Sequence, residues 1–246
     1  PVIASMNSLL RRLDDSFERE RRFSADAAHE LRTPISAIKM HLHNLRDEYP
    51  EHNSSLNSLE RDVDRLAHLV EQMLLLHRTT PDHYPAKFES LSLAALASEI
   101  IATNYADFSK KEQSIELHGD EGRVSGDRFA LRIMLQNLLN NAYKYTQRGG
   151  FIKVAIDTGP DSVRLTVSDN GPGISAEVKS RVFERFYRVG GDRHASGSSG
   201  CGLGLSIVEH IAELHRASIS MSEGEGGIGL AFTVVFPLSF VFGELT

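Results

Sequence analysis

The chain has 246 residues, 41% apolar and 24% charged, with a net charge of −6. This is ordinary globular composition, which excludes a wholly disordered chain, and the acidic balance opposes a nucleic-acid footprint, so no nucleic-acid partner is expected. One cysteine, Cys201, excludes an intramolecular disulfide framework and a multi-thiolate metal site, and no run reaches the roughly 18 apolar residues of a membrane helix. The sequence opens at Pro1 with neither a methionine nor a signal-peptide pattern, as expected of a piece cut from a longer protein.

All 19 glycines lie from Gly119 onward, so a glycine-free front precedes a glycine-rich back. In the front, Met6, Leu9, Leu13 and Phe17 begin an amphipathic helix. Leu31, Ile35, Ile38, Leu42 and Leu45 continue the pattern, with a kink expected at Pro34. Tyr49 to Ser55 reads as a turn, and a second helix carries Leu56, Leu59, Val63, Leu66, Val70 and Met73. One such hairpin leaves a wide apolar stripe in water, so the expectation is an all-α helical hairpin that dimerises into a four-helix bundle. Thr79 to Pro85 reads as a linker.

The back alternates types: a helical pattern over Leu93–Phe108, a strand over Ser114–His118, a helix over Asp127–Tyr145, and strands over Phe151–Asp157 and Val163–Ser168 across Gly159-Pro160-Asp161. A loop-rich stretch follows, then a helix over Leu203–Leu214 and closing strands over Ala217–Ser222 and Leu230–Phe236. That order predicts an α+β sandwich with a mixed sheet covered by helices on one face.

Four places carry residue types suited to chemistry. His29 lies opposite the Leu31–Leu42 seam on its helix, so it faces solvent, and Glu30 beside it can take a proton from one ring nitrogen and leave the other nucleophilic; a plain surface histidine fits the position as well. Asn137, Asn141, Lys144 and Tyr145 share a helix face that offers amide oxygen to a hard cation and an ammonium to phosphate, although a solvated face reads the same way. Asp169 ends a strand before Asn170-Gly171-Pro172-Gly173-Ile174, where a buried carboxylate can accept from an exocyclic amine, or where an ordinary Asn-Gly turn would lie. Gly200-Cys201-Gly202-Leu203-Gly204-Leu205 opens a helix whose N–H groups favour phosphate. Each signal is weak alone; their order, at intervals of about 110, 30 and 30 residues, is not.

Taken together the chain resembles a sensor histidine kinase of two-component systems along essentially its whole length. HELRTPI is similar to the H box, NLLNNAYKYT to the N box, DNGPGI to the G1 box, FERFYR to the F box and GCGLGL to the G2 box. The resemblance implies residues 1–22 as the end of a HAMP-like signalling helix, 23–80 as the dimerisation and histidine phosphotransfer domain, 81–88 as a linker and 89–246 as a catalytic domain of Bergerat ATP-binding fold. It implies ATP and Mg²⁺ as cofactors, His29 as phosphoacceptor, Glu30 as proton acceptor and Thr33 as a residue that assists dephosphorylation of the regulator. Asn141 would hold the metal. Asn137, Lys144 and Tyr145 would line the phosphate side, and Asp169 with Gly171, Gly173 and Ile174 the adenine side. Residues 189–200 would form a mobile lid, with Arg185, Phe186 and Arg188 beside it and Gly200, Gly202, Leu203, Gly204 and Leu205 completing the ATP site.

The implied partners are a second copy of the chain and the receiver domain of a response regulator. The implied location is the inner membrane for the full-length protein, anchored by N-terminal segments missing here, with this part on the cytoplasmic side. The alternative reading is a phosphatase-dominant or kinase-dead dimeric scaffold that binds ATP. Two departures stand out: Cys201 replaces a small residue such as threonine or serine, and His215-Arg216-Ala217 lacks the usual turn glycines, so a different local turn is expected.

Overall fold

The computed structural model describes residues 31, 34–45, 55–60, 62–64, 66–67, 70, 86–188 and 202–238. The chain divides into two compact units between residues 84 and 85. Among the described residues no helix is long and apolar enough to cross a membrane.

In the front unit, residues 34–45 and the described residues between 55 and 70 are helical, so Ser55 belongs to the second helix and not to the turn before it. Ile35, Leu42 and Val63 are buried, with Leu56, Ala67 and Val70 packed against them. The apolar pattern is made of two stripes, each recurring every seven residues, and the second is the apolar surface that one hairpin was expected to leave in water. Leu31, Ile38 and Leu45, and Leu59 and Leu66, form the second stripe and are 40–49% exposed in the lone chain. The Met6–Phe17 helix, residues 32 and 33 where a kink at Pro34 would show, and Met73 lie outside the described residues.

The back unit is the expected mixed sheet under helices. Its elements are β1 (Phe88–Ser92), α1 (Leu93–Lys110), β2 (Ser114–Gly119), β3 (Arg123–Asp127), α2 (Arg128–Tyr145), β4 (Phe151–Thr158), β5 (Ser162–Asp169), α3 (Ala176–Lys179), α4 (Gly204–Leu214), β6 (Ser218–Glu223) and β7 (Leu230–Pro237). The main sheet runs β2-β4-β5-β7-β6; β2 pairs parallel with β4 and every other pairing is antiparallel. Alternation sorts the faces: Ile152, Val154 and Ile156, Val163, Leu165 and Val167, and Phe232, Val234 and Phe236 are buried under the helices. The opposite face is polar, and there Thr166 and Thr233 meet hydroxyl to hydroxyl at 3.1 Å. Leu93, Leu96 and Ile100 of α1, Leu131, Met134, Leu135 and Leu138 of α2, and Ile207, Val208 and Ile211 of α4 close the core.

Two strands and a short helix go beyond the sequence reading. β1 and β3 form a separate antiparallel pair, Phe88 opposite Asp127 and Ser92 opposite Arg123, and Phe88 falls within the stretch expected as linker. The pair encloses α1, whose first turn is capped by Ser92 accepting from Ala95 N–H at 3.1 Å. α3 lies in the stretch read as loop.

Asp127 joins three elements. One carboxylate oxygen caps α2 by accepting from Ala130 N–H at 2.9 Å, and the other accepts from Lys87 N–H at 2.8 Å. Its own N–H donates to His215 Nε2 at 3.0 Å. Because Nε2 accepts, the buried imidazole is neutral with its proton on Nδ1, which donates to the Ile211 carbonyl at 2.7 Å. Burial pushes the His215 pKa down. The neutral ring therefore contributes stability that is complete above the free value of about 6.5 and lost as pH falls below it toward the lowered folded value. Urea unfolding should show the wild type weakening below about pH 6.5 and a His215→Gln variant with a flatter profile; equal slopes would refute this.

The expectation of a rerouted turn after α4 is corrected. Arg216 takes the left-handed conformation itself, with φ of 51°, and the helix closes normally through Arg216 N–H to Glu213 and Ala217 N–H to Ala212. The cost of a left-handed non-glycine residue is small enough for the turn's hydrogen bonds to outweigh it.

Candidate nucleotide site

The site is organised around α2. Leu131, Leu135, Leu138 and Ala142 bury one face of this helix, which turns Asn137, Asn141 and Lys144 to a half-buried margin and leaves Tyr145 48% exposed. Asn137 donates to the Ile133 carbonyl at 2.9 Å, which fixes its amide and leaves Oδ1 facing outward toward α4. Asn141 has no side-chain hydrogen bond among the described residues, so its amide oxygen remains open to a ligand. The Lys144 ammonium lies 5.3 Å over the Tyr145 ring, which steers it along the end of the helix.

Asp169 is the last residue of β5, half-buried, with Oδ1 accepting from Gly171 N–H at 2.8 Å. Burial raises its pKa, and main-chain donors at Gly171 and Leu230 pull it part of the way back. A carboxylate short of solvent and of full hydrogen bonding is suited to accept from an amine donor on a ligand.

Glycines let the segments close on one another. A Cβ on Gly171 would lie 2.8 Å from Asp169 Oδ1 and 2.9 Å from the Tyr145 carbonyl, so the loop after β5 touches the end of α2 only without a side chain. A Cβ on Gly204 would lie 2.9 Å from Asn137 Oδ1, which sets the start of α4 against the asparagine face. Gly173, at φ of +66°, lies against the Gly229 carbonyl. The structure thus brings together Asn137, Tyr145, Asp169, Gly171, Gly173 and Gly204. Ile174 is half-buried in the same loop.

Among the described residues no side chain caps the start of α4, and the first N–H groups of such a helix start suit an anion. The Leu203 side chain is fully buried in the core, so what it can offer a ligand is its main chain. Leu205 is half-buried. Gly202, at φ of +73°, accepts from Phe186 N–H at 2.9 Å, and a Cβ there would strike the Phe186 main chain at 2.7 Å. Phe186 is itself left-handed at φ of 64° and 55% exposed, with Arg185 exposed and Arg188 half-buried beside it. His29, Glu30, Thr33, Gly200, Cys201 and the whole of 189–199 lie outside the described residues.

The sequence reading missed the turn at 224–229. Gly229 lies directly under Asp169, and Leu230 beyond it pairs with Asp169. The signal was there in Gly224, Gly226, Gly227 and Gly229, a density of glycine that a simple strand connection does not need.

Two family models match the chain. Residues 19–81 match the His Kinase A (phospho-acceptor) domain, and residues 126–239 match the histidine kinase-, DNA gyrase B- and HSP90-like ATPase. The chain belongs to the sensor histidine kinases of bacterial two-component systems. Its relatives include the swarming motility regulation sensor protein RssA of Serratia marcescens, 38% identical over 98% of this chain and 51% of that protein. The sensor protein kinase PmrB of Pseudomonas aeruginosa is 37% identical over 96% of this chain and 49% of that protein. The chain spans about half the length of these relatives. Among solved structures, the catalytic domain of histidine kinase ThkA is 27% identical with a TM-score of 0.54, covering 62% of this chain and 98% of that one. Full-length ShkA in complex with AMPPNP shares the fold, with a TM-score of 0.70 over 87% of this chain and 45% of that one at 24% identity. The back unit of this histidine kinase chain is accordingly a nucleotide-binding ATPase domain.

Proposed function

We propose that the chain transfers the γ-phosphoryl group of ATP to a ring nitrogen of His29 and then to an aspartate on a response regulator. Support comes from the joining of a phosphoacceptor family domain to an ATPase family domain in one chain. The observation that carries the site assignment is the closure of the Asp169 loop and the α4 start onto α2 through Gly171 and Gly204. Adenine is read by Asp169 through its exocyclic amine, and the phosphates lie along Asn137, Lys144, Tyr145 and the first N–H groups of α4.

Mg²⁺ fits the residues present, since the half-buried Asn141 offers a neutral amide oxygen with no hydrogen bond among the described residues. When bound, the metal supplies charge neutralisation across the phosphate oxygens. Asn141 holds the cation, Lys144 draws negative charge off the phosphoryl group, and Glu30 takes the proton from His29. Thr33 orients a water for dephosphorylation of the regulator. Arg185, Phe186 and Arg188 hold the phosphate or the segment 189–200. The exposed second heptad stripe supports a homodimer. In the full-length protein, segments beyond this chain anchor it to the membrane, with this part on the cytoplasmic side.

The test is incubation of the chain with Mg²⁺ and γ-labelled ATP beside His29→Gln and Asn141→Ala. Label stable to alkali, labile to acid and absent from both variants is expected. Label persisting in His29→Gln would move the acceptor elsewhere, and bound ATP without label in any protein would favour the scaffold.

A further inference from the structure

A helix ends with carbonyls that have no intrahelical donor and carry the negative end of its dipole. At the C-terminus of α2 those carbonyls are met from outside, by two residues of the turn that follows α1. Lys111 Nζ donates to the carbonyls of Tyr143 at 2.6 Å, Thr146 at 2.7 Å and Lys144 at 3.2 Å. Gln113 Nε2 donates to those of Thr146 at 2.8 Å, Tyr143 at 3.0 Å and Gln147 at 3.4 Å. The three protons of one ammonium thus meet three acceptors, and the carbonyls of Tyr143 and Thr146 have both lone pairs engaged.

The arrangement is built in depth. Gln113 is buried, and the ammonium lies 4.8 Å over the Tyr143 ring. Gly149 N–H donates to the Lys111 carbonyl and Ser114 N–H to that of Gly150, so the two segments are joined along their length. Burial lowers the Lys111 pKa, yet the ammonium is kept at the helix end that most needs a cation. The Tyr145 carbonyl, which receives neither side chain, is the one that lies against Gly171 beside Asp169.

We propose that Lys111 and Gln113 are positioning residues for the nucleotide. They anchor the last turn of α2 so that Lys144 and Tyr145 are presented to the phosphates and the Tyr145 carbonyl stays against Gly171. This rests on the reading of Asn141, Lys144 and Asp169 as the nucleotide site. A simple helix cap would affect stability alone, whereas a positioning pair also governs affinity.

The experiment measures trinitrophenyl-ATP affinity and thermal melting of the whole chain. Lys111→Met and Gln113→Met should weaken binding at least fivefold at temperatures where both remain folded, and Lys111→Arg should lie within twofold of wild type. Leu96→Ala, which removes a fully buried α1 side chain and loses comparable stability, should bind as wild type does. If Lys111→Met does not fold, Gln113→Met, which keeps the ammonium, carries the comparison. Both Met variants binding like Leu96→Ala would overturn the inference. Equal binding by wild type and Asp169→Asn would instead overturn the site reading, and the inference with it.

Discussion

Asp169→Asn is expected to move stability and binding in opposite directions: the unliganded domain melts higher, and ATP binds more weakly by about 2–4 kcal/mol, roughly 30- to 1,000-fold. The stability half follows from the raised carboxyl pKa. A carboxyl more easily protonated in the folded chain favours folding at acid pH, and that contribution is lost as pH rises through the raised value, so at neutral pH the buried charge opposes folding. Asparagine removes the charge and keeps an oxygen for the Gly171 N–H. The binding half follows because the new amide nitrogen would face, or its oxygen would only weakly accept from, an amine that a carboxylate accepts strongly. Melting curves without nucleotide and titrations with it separate the two. Unchanged affinity would remove Asp169 from the site.

Gly229→Ala is expected to destabilise the back domain by more than about 4 kcal/mol, beyond ordinary substitutions. Its φ is +80°, and a Cβ would lie 1.8 Å from the Asp169 carbonyl and 2.8 Å from Asn170 Cα, so only a main-chain shift can accommodate it. That shift would unpair Asp169 from Leu230 at the end of β5. Gly226→Ala isolates the conformational part of the effect. Its φ is +70° with nothing within 4 Å of the added carbon, and it should cost only about 1 kcal/mol. Urea unfolding of both variants measures the steric contribution as their difference; equal losses would show that the strand end yields.

What the sequence revealed follows the length over which a pattern repeats. α1, α2, β4, β5 and β7 carry sustained periodicity, and their ends lie within a residue or two of expectation. β1 and β3 escaped because Phe-Glu-Ser-Leu-Ser and Arg-Val-Ser-Gly-Asp alternate poorly and are strands only through each other, across the whole of α1. Among the residues proposed for the site, Asn137, Asp169 and Gly204 stand out in the sequence because their chemistry is in the side chain, or in its absence. Leu203 does not, since a leucine in a glycine-rich loop gives no sign of which way it points, and it points into the core. Lys111 and Gln113 act on carbonyls some thirty residues later, a partnership no local pattern encodes. Arg216 misled in the other direction: the missing glycine suggested a different turn, but the hydrogen bonds of the helix end outweigh a left-handed arginine.

The order of strands in the sheet also implies an order of assembly. β4 joins β5 across Gly159 to Asp161, and β6 joins β7 across Gly224 to Gly229, so both pairs can form as local hairpins. The other two pairings close over longer stretches of chain, β5 with β7 across α3, α4 and β6, and β2 with β4 across β3 and α2. β2 also lies at an edge of the sheet, paired on one side alone, whereas β5 and β7 are paired on both, so it should open ahead of them. The turn bearing Lys111 and Gln113 leads directly into that strand. Amide hydrogens of β2 should therefore exchange ahead of those in β5 and β7, and nucleotide should slow them although it touches none of them.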